Sequence, residues 1–171
     1  IRWIPERPTL EGYERVFNMQ GFSFTRASLN SLLLAVGCTV AEVASSAMAA
    51  FVFAKLPFKG SGKVFGIYLA TMMIPNTVTM VPNYIILRSL GLLDTYTGLI
   101  LPYLGKAFSV FLMRQSMLGV NDAYLESAFL DGASLYRVFW KIMLPMVTPT
   151  LATLTLISFM GSWNSYLWPL I

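Results

Sequence analysis

The sequence predicts an all-α protein, a polytopic bundle of transmembrane helices, on three observations. Hydrophobic residues make up 56% of its 171 positions and charged residues only 12%, about half the charged share of a soluble domain. Four stretches each approach the ~20 mainly apolar residues that a spanning helix needs. The polar segments between them are short. So few charges cannot cover the core of a water-soluble protein of this size.

Residues 1–28 read as an external or headgroup-level segment. Pro5 and Pro8 break helices, while Leu10, Tyr13, Val16 and Phe17 predict one short amphipathic helix. The first span is expected over 30–54 (NSLLLAVGCTVAEVASSAMAAFVFA). Its small residues Gly37, Ala41, Ala44, Ser45, Ala47 and Ala49 let helix backbones approach within a bilayer. Glu42 lies in the middle of this span. An acid there costs on the order of 3 kcal/mol, so it needs a partner, a cavity or the bundle interior. It either borders a transport pathway or is a hydrogen-bonded packing residue. LPFKGSGK then forms a basic turn, with Pro57, Gly60 and Gly62 as breakers.

The second span, 64–87, carries no charge. Pro75 and Pro82 are each expected to disturb the turn before them. Such breaks persist at membrane depth only where protein or a wet cavity satisfies the freed carbonyls. Asn76, Thr77, Thr79 and Asn83 lie beside the breaks, and Asn76 and Thr79 are candidate pathway residues. RSLGLLD, centred on Gly91, connects to a third span at 95–113. Lys106 lies within it and is expected to snorkel towards an interface. The fourth span, 142–171, is uncharged and ends in GSWNSYLWPLI. Trp163, Asn164 and Tyr166 lie there, either as part of an interfacial aromatic belt or as a patch that stacks on and hydrogen-bonds a sugar.

The connector at 121–145 reads as two short helices meeting at a glycine. Asp122 is expected to cap the first, Ala123 to Leu130, and Gly132 to take the left-handed position after its end. The second resumes near Ser134 and runs through Trp140 until Pro145. Leu125, Ala128, Phe129, Leu135 and Phe139 form an apolar side, and Glu126, Asp131 and Arg137 supply polar contacts. Such an elbow can lie on lipid headgroups or dock into a groove on a soluble partner.

Several function classes fall away. The chain has one cysteine, Cys38, and no histidine, which leaves no disulfide framework and removes the commonest general base and metal ligand. No phosphate-binding loop G-x-x-x-x-G-K-[ST] occurs, so the chain is expected not to be an enzyme and to bind no cofactor itself. Net charge is +4, but the basic residues are scattered, without the clustered patch that nucleic acid requires. Charge does not decide orientation. Lys55, Lys59, Lys63, Arg114, Arg137 and Lys141 fall on one side, and Arg2, Arg7, Arg15, Arg26 and Arg88 on the other. Both ends look cut, so the chain is expected to be a piece of a longer membrane protein.

The run E-S-A-x-x-D-G-A-S, followed by Phe139, Ile142, Leu144 and Pro145, closely resembles the EAA loop of binding-protein-dependent ABC importer permeases. Glu126, Ala128, Gly132, Ile142, Leu144 and Pro145 match that pattern, with Ser127 in place of the middle alanine. WIPERPTLEGYERVF, LNS (29–31), AAFVFAKLPFKG, MIPNTVTMVPNYIIL, LGLLDTYTGLILPY, FLMRQ and GSWNSYLWPLI are similar to the carbohydrate-uptake branch. Within it they look most like the second permease subunit, the one related to the maltose and glycerol-phosphate importers. Asn121, where many relatives have proline, and Ser165, where an acid is common, depart from the pattern.

The resemblance implies six spans per subunit, so that four are present here, with the elbow in the cytoplasm. It also implies an inner-membrane location in a bacterium, with lipid around the spans. The expected partners are a second permease subunit, a dimer of ATPase subunits that hold ATP and Mg, and an external solute-binding protein. Glu126, Ser127, Ala128, Asp131, Gly132, Ala133 and Pro145 become the coupling residues. Glu126 is then the polar anchor, and Ala128 and Gly132 permit close approach. The alternatives are the same architecture serving a polyamine or peptide, and a membrane scaffold without transport.

Overall fold

The computed structural model describes residues 9–17, 23–56 and 58–170. The expectations for Pro5, Pro8, Pro57, Arg2, Arg7 and Ile171 lie outside the described residues. The chain divides into two compact units, Ile1–Leu33 and Leu34–Ile171. The first contains α1 (Glu11–Phe17) and the start of α2 (Phe24–Lys55). Leu10, Tyr13, Val16 and Phe17 are all exposed, and Phe17 meets Phe24 edge to face at 5.1 Å. The Ser23 hydroxyl accepts from the Arg26 amide, which starts α2.

The helix α2 has 32 residues, about 48 Å at 1.5 Å per residue. Among the described residues it is the one helix that is by itself long and apolar enough to cross a membrane. The other three candidates are bent pairs, and each bend has a local cause. The first pair is α3 (Ser61–Ala70) with a 3-10 turn at Thr71–Met73, followed by α4 (Asn76–Ser89), bent by 102°. Pro75 drives its predecessor Ile74 into extended backbone (ψ 117°). It then stands just before α4, where its missing N–H leaves no partner unfilled. Pro82 does not act as expected. It lies inside α4, which continues through it without a break. Only one donor is lost there, against the many turns that remain.

The second pair joins α5 (Tyr96–Ile100) and a 3-10 turn at Leu101–Tyr103 to α6 (Ala107–Leu118), with a bend of 48°. Gly105 takes a left-handed conformation (φ 60°) at the break. After the short helix α7 (Ala123–Leu130) comes α8 (Leu135–Val138), a π-helical turn at Phe139–Met143 and α9 (Leu144–Met146). These lead at 82° into α10 (Thr148–Trp163). The stretch 142–171 is therefore not one continuous helix. Pro145 cannot donate to the carbonyl four residues back and its ring crowds that turn, which the wider π turn accommodates. Pro149 suits the first turn of α10 but not a helix interior. At 16 residues, α10 spans about 24 Å, short of the ~30 Å hydrocarbon core.

One core unites these pieces in the second unit. Ala47, Ala50 and Phe51 of α2 meet Phe65 of α3 and Val110, Met113 and Met117 of α6. Leu125 of α7, Val138 of α8 and Leu154 of α10 join the same cluster. Gly37 lets Ile100 approach, since a Cβ there would lie 3.0 Å from its Cδ1. By contrast Val78, Val81 and Ile85 of α4 and Leu156, Ile157 and Met160 of α10 are exposed. These apolar faces suit lipid or further helices rather than water.

Candidate functional site

The elbow at 121–145 is built from local signals and then fastened to the bundle. Its first helix ends in a Schellman motif. The Ala133 amide donates to Ala128 O at 2.9 Å, and the Gly132 amide donates to Phe129 O at 3.0 Å. Gly132 has φ +78°, with no atom within 4 Å of where a Cβ would lie. The glycine is thus required by backbone conformation, not by crowding. Gly132→Ala should cost about 1 kcal/mol from the left-handed penalty alone. Gly132→Asn should cost less, and thermal melts of the purified complex would rank the two. Ser134 begins the second helix, its hydroxyl accepting from the Arg137 amide at 3.4 Å.

The expected cap at Asp122 is corrected. Asn121 Oδ1 accepts from the Ala123 amide at 3.0 Å, and the Asp122 side chain makes no cap bond. Asp122 instead pairs with Lys55, which also donates to Val120 O at 2.7 Å. The Lys55 side chain is 4% exposed and that of Asp122 71%, so the lysine is held from the protein side. At the elbow's exit, Phe139 packs on Phe51 with ring centroids 5.3 Å apart. Entry and exit are therefore both tied to the C-terminal turns of α2.

The two faces of the elbow differ. Leu125 is buried, and Ala128 and Ala133 are partly buried against the core. In this chain those two alanines pack inward. Glu126, Ser127, Asp131 and Gly132 are exposed, and so is Pro145. Around them stand Tyr124, Phe129, Leu135, Tyr136 and Trp140, all exposed, with Leu130 at 89%. Glu126 lies in the first turn of α7, where a negative charge favours the helix dipole. The result is an exposed knob of aromatic and aliphatic side chains in which Glu126 and Asp131 stand with Arg137 and Lys141.

Away from the elbow, Glu42 is 4% exposed and has partners. Ser109 Oγ donates to its Oε1. Lys106 Nζ lies 2.9 Å from Oε2, off the line of a hydrogen bond, so this contact is an ion pair and Oε2 has no aligned donor. Lys106 therefore does not snorkel to an interface. It turns inward, over the Tyr103 ring at 3.9 Å, with its side chain 43% exposed. Ser45 Oγ accepts from the Gly105 amide at 2.9 Å. The break at 104–106 is thus docked on α2, which satisfies backbone that a bilayer cannot.

Lys106 and Tyr103 also border a hollow of about 440 Å³, within the roughly 300–1,000 Å³ of small-molecule sites. Asn76, Thr79, Met80 and Asn83 line it from α4, and Ser165 and Trp168 from beyond α10. The four α4 residues recur at i, i+3, i+4, i+7, one face of a helix, and Thr77 joins them from the first turn of α4. Trp168 Nε1 donates to Leu99 O at 3.1 Å, which fixes its indole. Of the candidate pathway residues, Asn76 and Thr79 line this hollow, and Glu42, Trp163, Asn164 and Tyr166 do not. Trp163 stacks on Phe159, the Asn164 amide donates to Met160 O, and Tyr166 is 74% exposed. Once α10 ends, the chain turns and presents Ser165 and Trp168 instead. No spacing rule marks them.

The family model described as binding-protein-dependent transport system inner membrane component matches residues 43–171. The arabinooligosaccharides transport system permease protein AraQ of Bacillus subtilis is 35% identical over 167 residues, covering 98% of this chain and 59% of the relative. The sn-glycerol-3-phosphate transport system permease protein UgpE of Yersinia pestis is 38% identical over 143 residues, or 84% of this chain and 51% of the relative. A crystal structure of a bacterial ABC transporter involved in import of the acidic polysaccharide alginate aligns with a TM-score of 0.81 and 30% identity. It covers 91% of this chain and 54% of that one. The chain thus spans between half and three fifths of the length of these relatives. A helical bundle with an EAA-type elbow, matched by the family model over three quarters of its length, places the chain in the family of binding-protein-dependent transport system inner membrane components.

Proposed function

We propose that the chain belongs to a permease subunit of a bacterial ABC importer, forms part of the path for a sugar or sugar derivative, and takes its power stroke from a separate ATPase. The observation that carries this reading is the elbow. It closes through a Schellman turn and is tied at both ends to α2, while the Glu126 and Asp131 carboxylates on its exposed rim have no ion-pair partner among the described residues. A rigid lever of this kind can move the spans when its rim is gripped. The grip is assigned to a cytoplasmic ATPase dimer that holds ATP and Mg. A second permease subunit completes the pathway in the inner membrane, and an external solute-binding protein delivers the solute. Glu126, Ser127, Asp131 and Gly132 form the docking rim, whereas Ala128, Ala133 and Pro145 shape the turn and the exit behind it.

Cross-linking tests the docking. Cys38 is buried, so Ser127→Cys or Leu130→Cys supplies the one accessible thiol among the described residues. In the assembled importer each should cross-link to a cysteine-bearing ATPase subunit, with a yield that changes on ATP binding. Glu126→Gln should lower solute uptake at least tenfold while basal ATP hydrolysis persists. Absence of the cross-link together with unchanged uptake in Glu126→Gln would remove the coupling assignment. Protection of both thiols by lipid alone would favour the headgroup-lying alternative.

A further inference from the structure

We infer that the hollow between α4, Tyr103 and Trp168 is a binding site for one uncharged glycosyl unit and rejects phosphorylated or uronate solutes. This deepens the importer reading and rests on it. Charge is the first argument. Among the described residues Lys106 is the one lysine or arginine that lines the hollow, and no aspartate or glutamate lines it. That lysine is already paired with Glu42 at 2.9 Å, behind the wall. An anionic solute that recruited Lys106 would strand Glu42, 4% exposed, with the Ser109 hydroxyl alone. Removing one partner of a buried pair is strongly unfavourable. The wall is therefore electrically neutral as it stands.

Hydrogen-bonding capacity is the second argument. Asn76 and Asn83 lie seven residues apart on the same face of α4, with Thr79 between them. Among the described residues neither amide side chain has a hydrogen-bond partner, and neither has the Ser165 hydroxyl, whereas the Thr79 hydroxyl donates to Asn76 O. Each amide offers two donors and an acceptor, the complement of sugar hydroxyls that both donate and accept. Trp168 adds an apolar ring held in place through its indole N–H. Together these provide amide groups for the rim of a pyranose or furanose and an aromatic face for its C–H surface. A phosphate or carboxylate would meet the amide end of α4 at Asn76 and Thr77, but no cation that is not already paired with a buried acid.

The test uses the solubilised complex of both permease subunits with the ATPase dimer, without the solute-binding protein, so that the receptor's own selection does not intervene. Saturation-transfer NMR is recorded with arabinotriose, sn-glycerol-3-phosphate and dimannuronate as probes at equal concentration. Arabinotriose should show contact with the complex, and Asn83→Ala and Asn76→Ala should each weaken it at least fivefold. The two anions should show none. Glu42→Gln keeps the Ser109 contact but frees the Lys106 charge, and should admit glycerol-3-phosphate. Anion binding equal to that of arabinotriose in the unaltered complex overturns the inference. So does arabinotriose binding that is absent, or indifferent to both asparagine variants. The elbow cross-link does not involve the hollow, so failure here leaves the importer reading standing, and loss of that cross-link removes it independently.

Discussion

Gly98→Ala is expected to cost on the order of 3 kcal/mol, at the upper end of overpacking penalties. A Cβ at position 98 would lie 2.1 Å from the Leu92 carbonyl oxygen, and 3.1 Å from its carbon. That oxygen cannot retreat freely, because it accepts from the Thr95 hydroxyl at 2.7 Å. Thr95 in turn caps α5 by accepting from the Gly98 amide at 3.0 Å. One methyl group therefore pushes on a turn whose bonds all close on each other. In a melt of the purified complex the midpoint should fall by roughly 6–12 °C. Gly66→Ala, at a helical site where a Cβ meets nothing within 4 Å, is the control and should be neutral or slightly stabilising. A Gly98→Ala protein as stable as that control would show that the close approach at Leu92 relaxes without cost. The consequence reaches function because α5 leads directly into the 3-10 turn bearing Tyr103. Solute contact at the hollow should weaken with the melt.

What the sequence made legible was local. The Gly132 turn, the helix restart at Ser134 and the break at Pro75 each depend on residues within one or two turns, and their residue types alone specify them. Glu42 was legible as a problem: an acid among alanines and valines must find a partner. Its partner was not. Lys106 lies 64 positions away in sequence and carried an equally good local explanation as a snorkelling cation. Lys55 is similar, an ordinary basic residue at a helix end whose hydrogen bond to Val120 crosses 65 positions. Asn121 and Asp122 compete for one cap, and composition cannot rank them; the tertiary demand of Lys55 for an anion settles it by drawing Asp122 away. Beyond α10 the apolar run hid the end of the helix. Polar residues near 163–166 looked like one patch, yet the turn after Trp163 sends them in different directions. Distance in the chain, rather than subtlety of chemistry, marks the boundary of what could be read.

The largest functional consequence is expected at Lys106. Lys106→Met leaves the Glu42 carboxylate buried beside one hydroxyl, Ser109. A fully enclosed pair broken in this way costs about 3–5 kcal/mol. Lys106 keeps 43% of its side chain exposed, and solvent already screens part of the interaction, so about 2 kcal/mol is expected here, or roughly 4–8 °C in midpoint. Glu42→Gln/Lys106→Met removes both charges and should recover most of that loss, which a double-mutant cycle would report as a favourable coupling. If the double variant melts no higher than Lys106→Met alone, the ion pair is not what holds the 104–106 break against α2. The same four proteins separate structure from selectivity. Lys106→Met leaves one net negative charge behind the hollow, whereas the double variant restores neutrality without the pair. A neutral glycosyl probe should therefore bind poorly to the single variant and regain contact in the double, in step with stability. Glu42→Gln should move the other way, losing little stability because Ser109 still donates to the amide oxygen, yet gaining an unpaired cation at the wall. Stability and solute charge preference thus diverge in that variant alone, because Glu42 both anchors the break and cancels the charge that solute would otherwise meet.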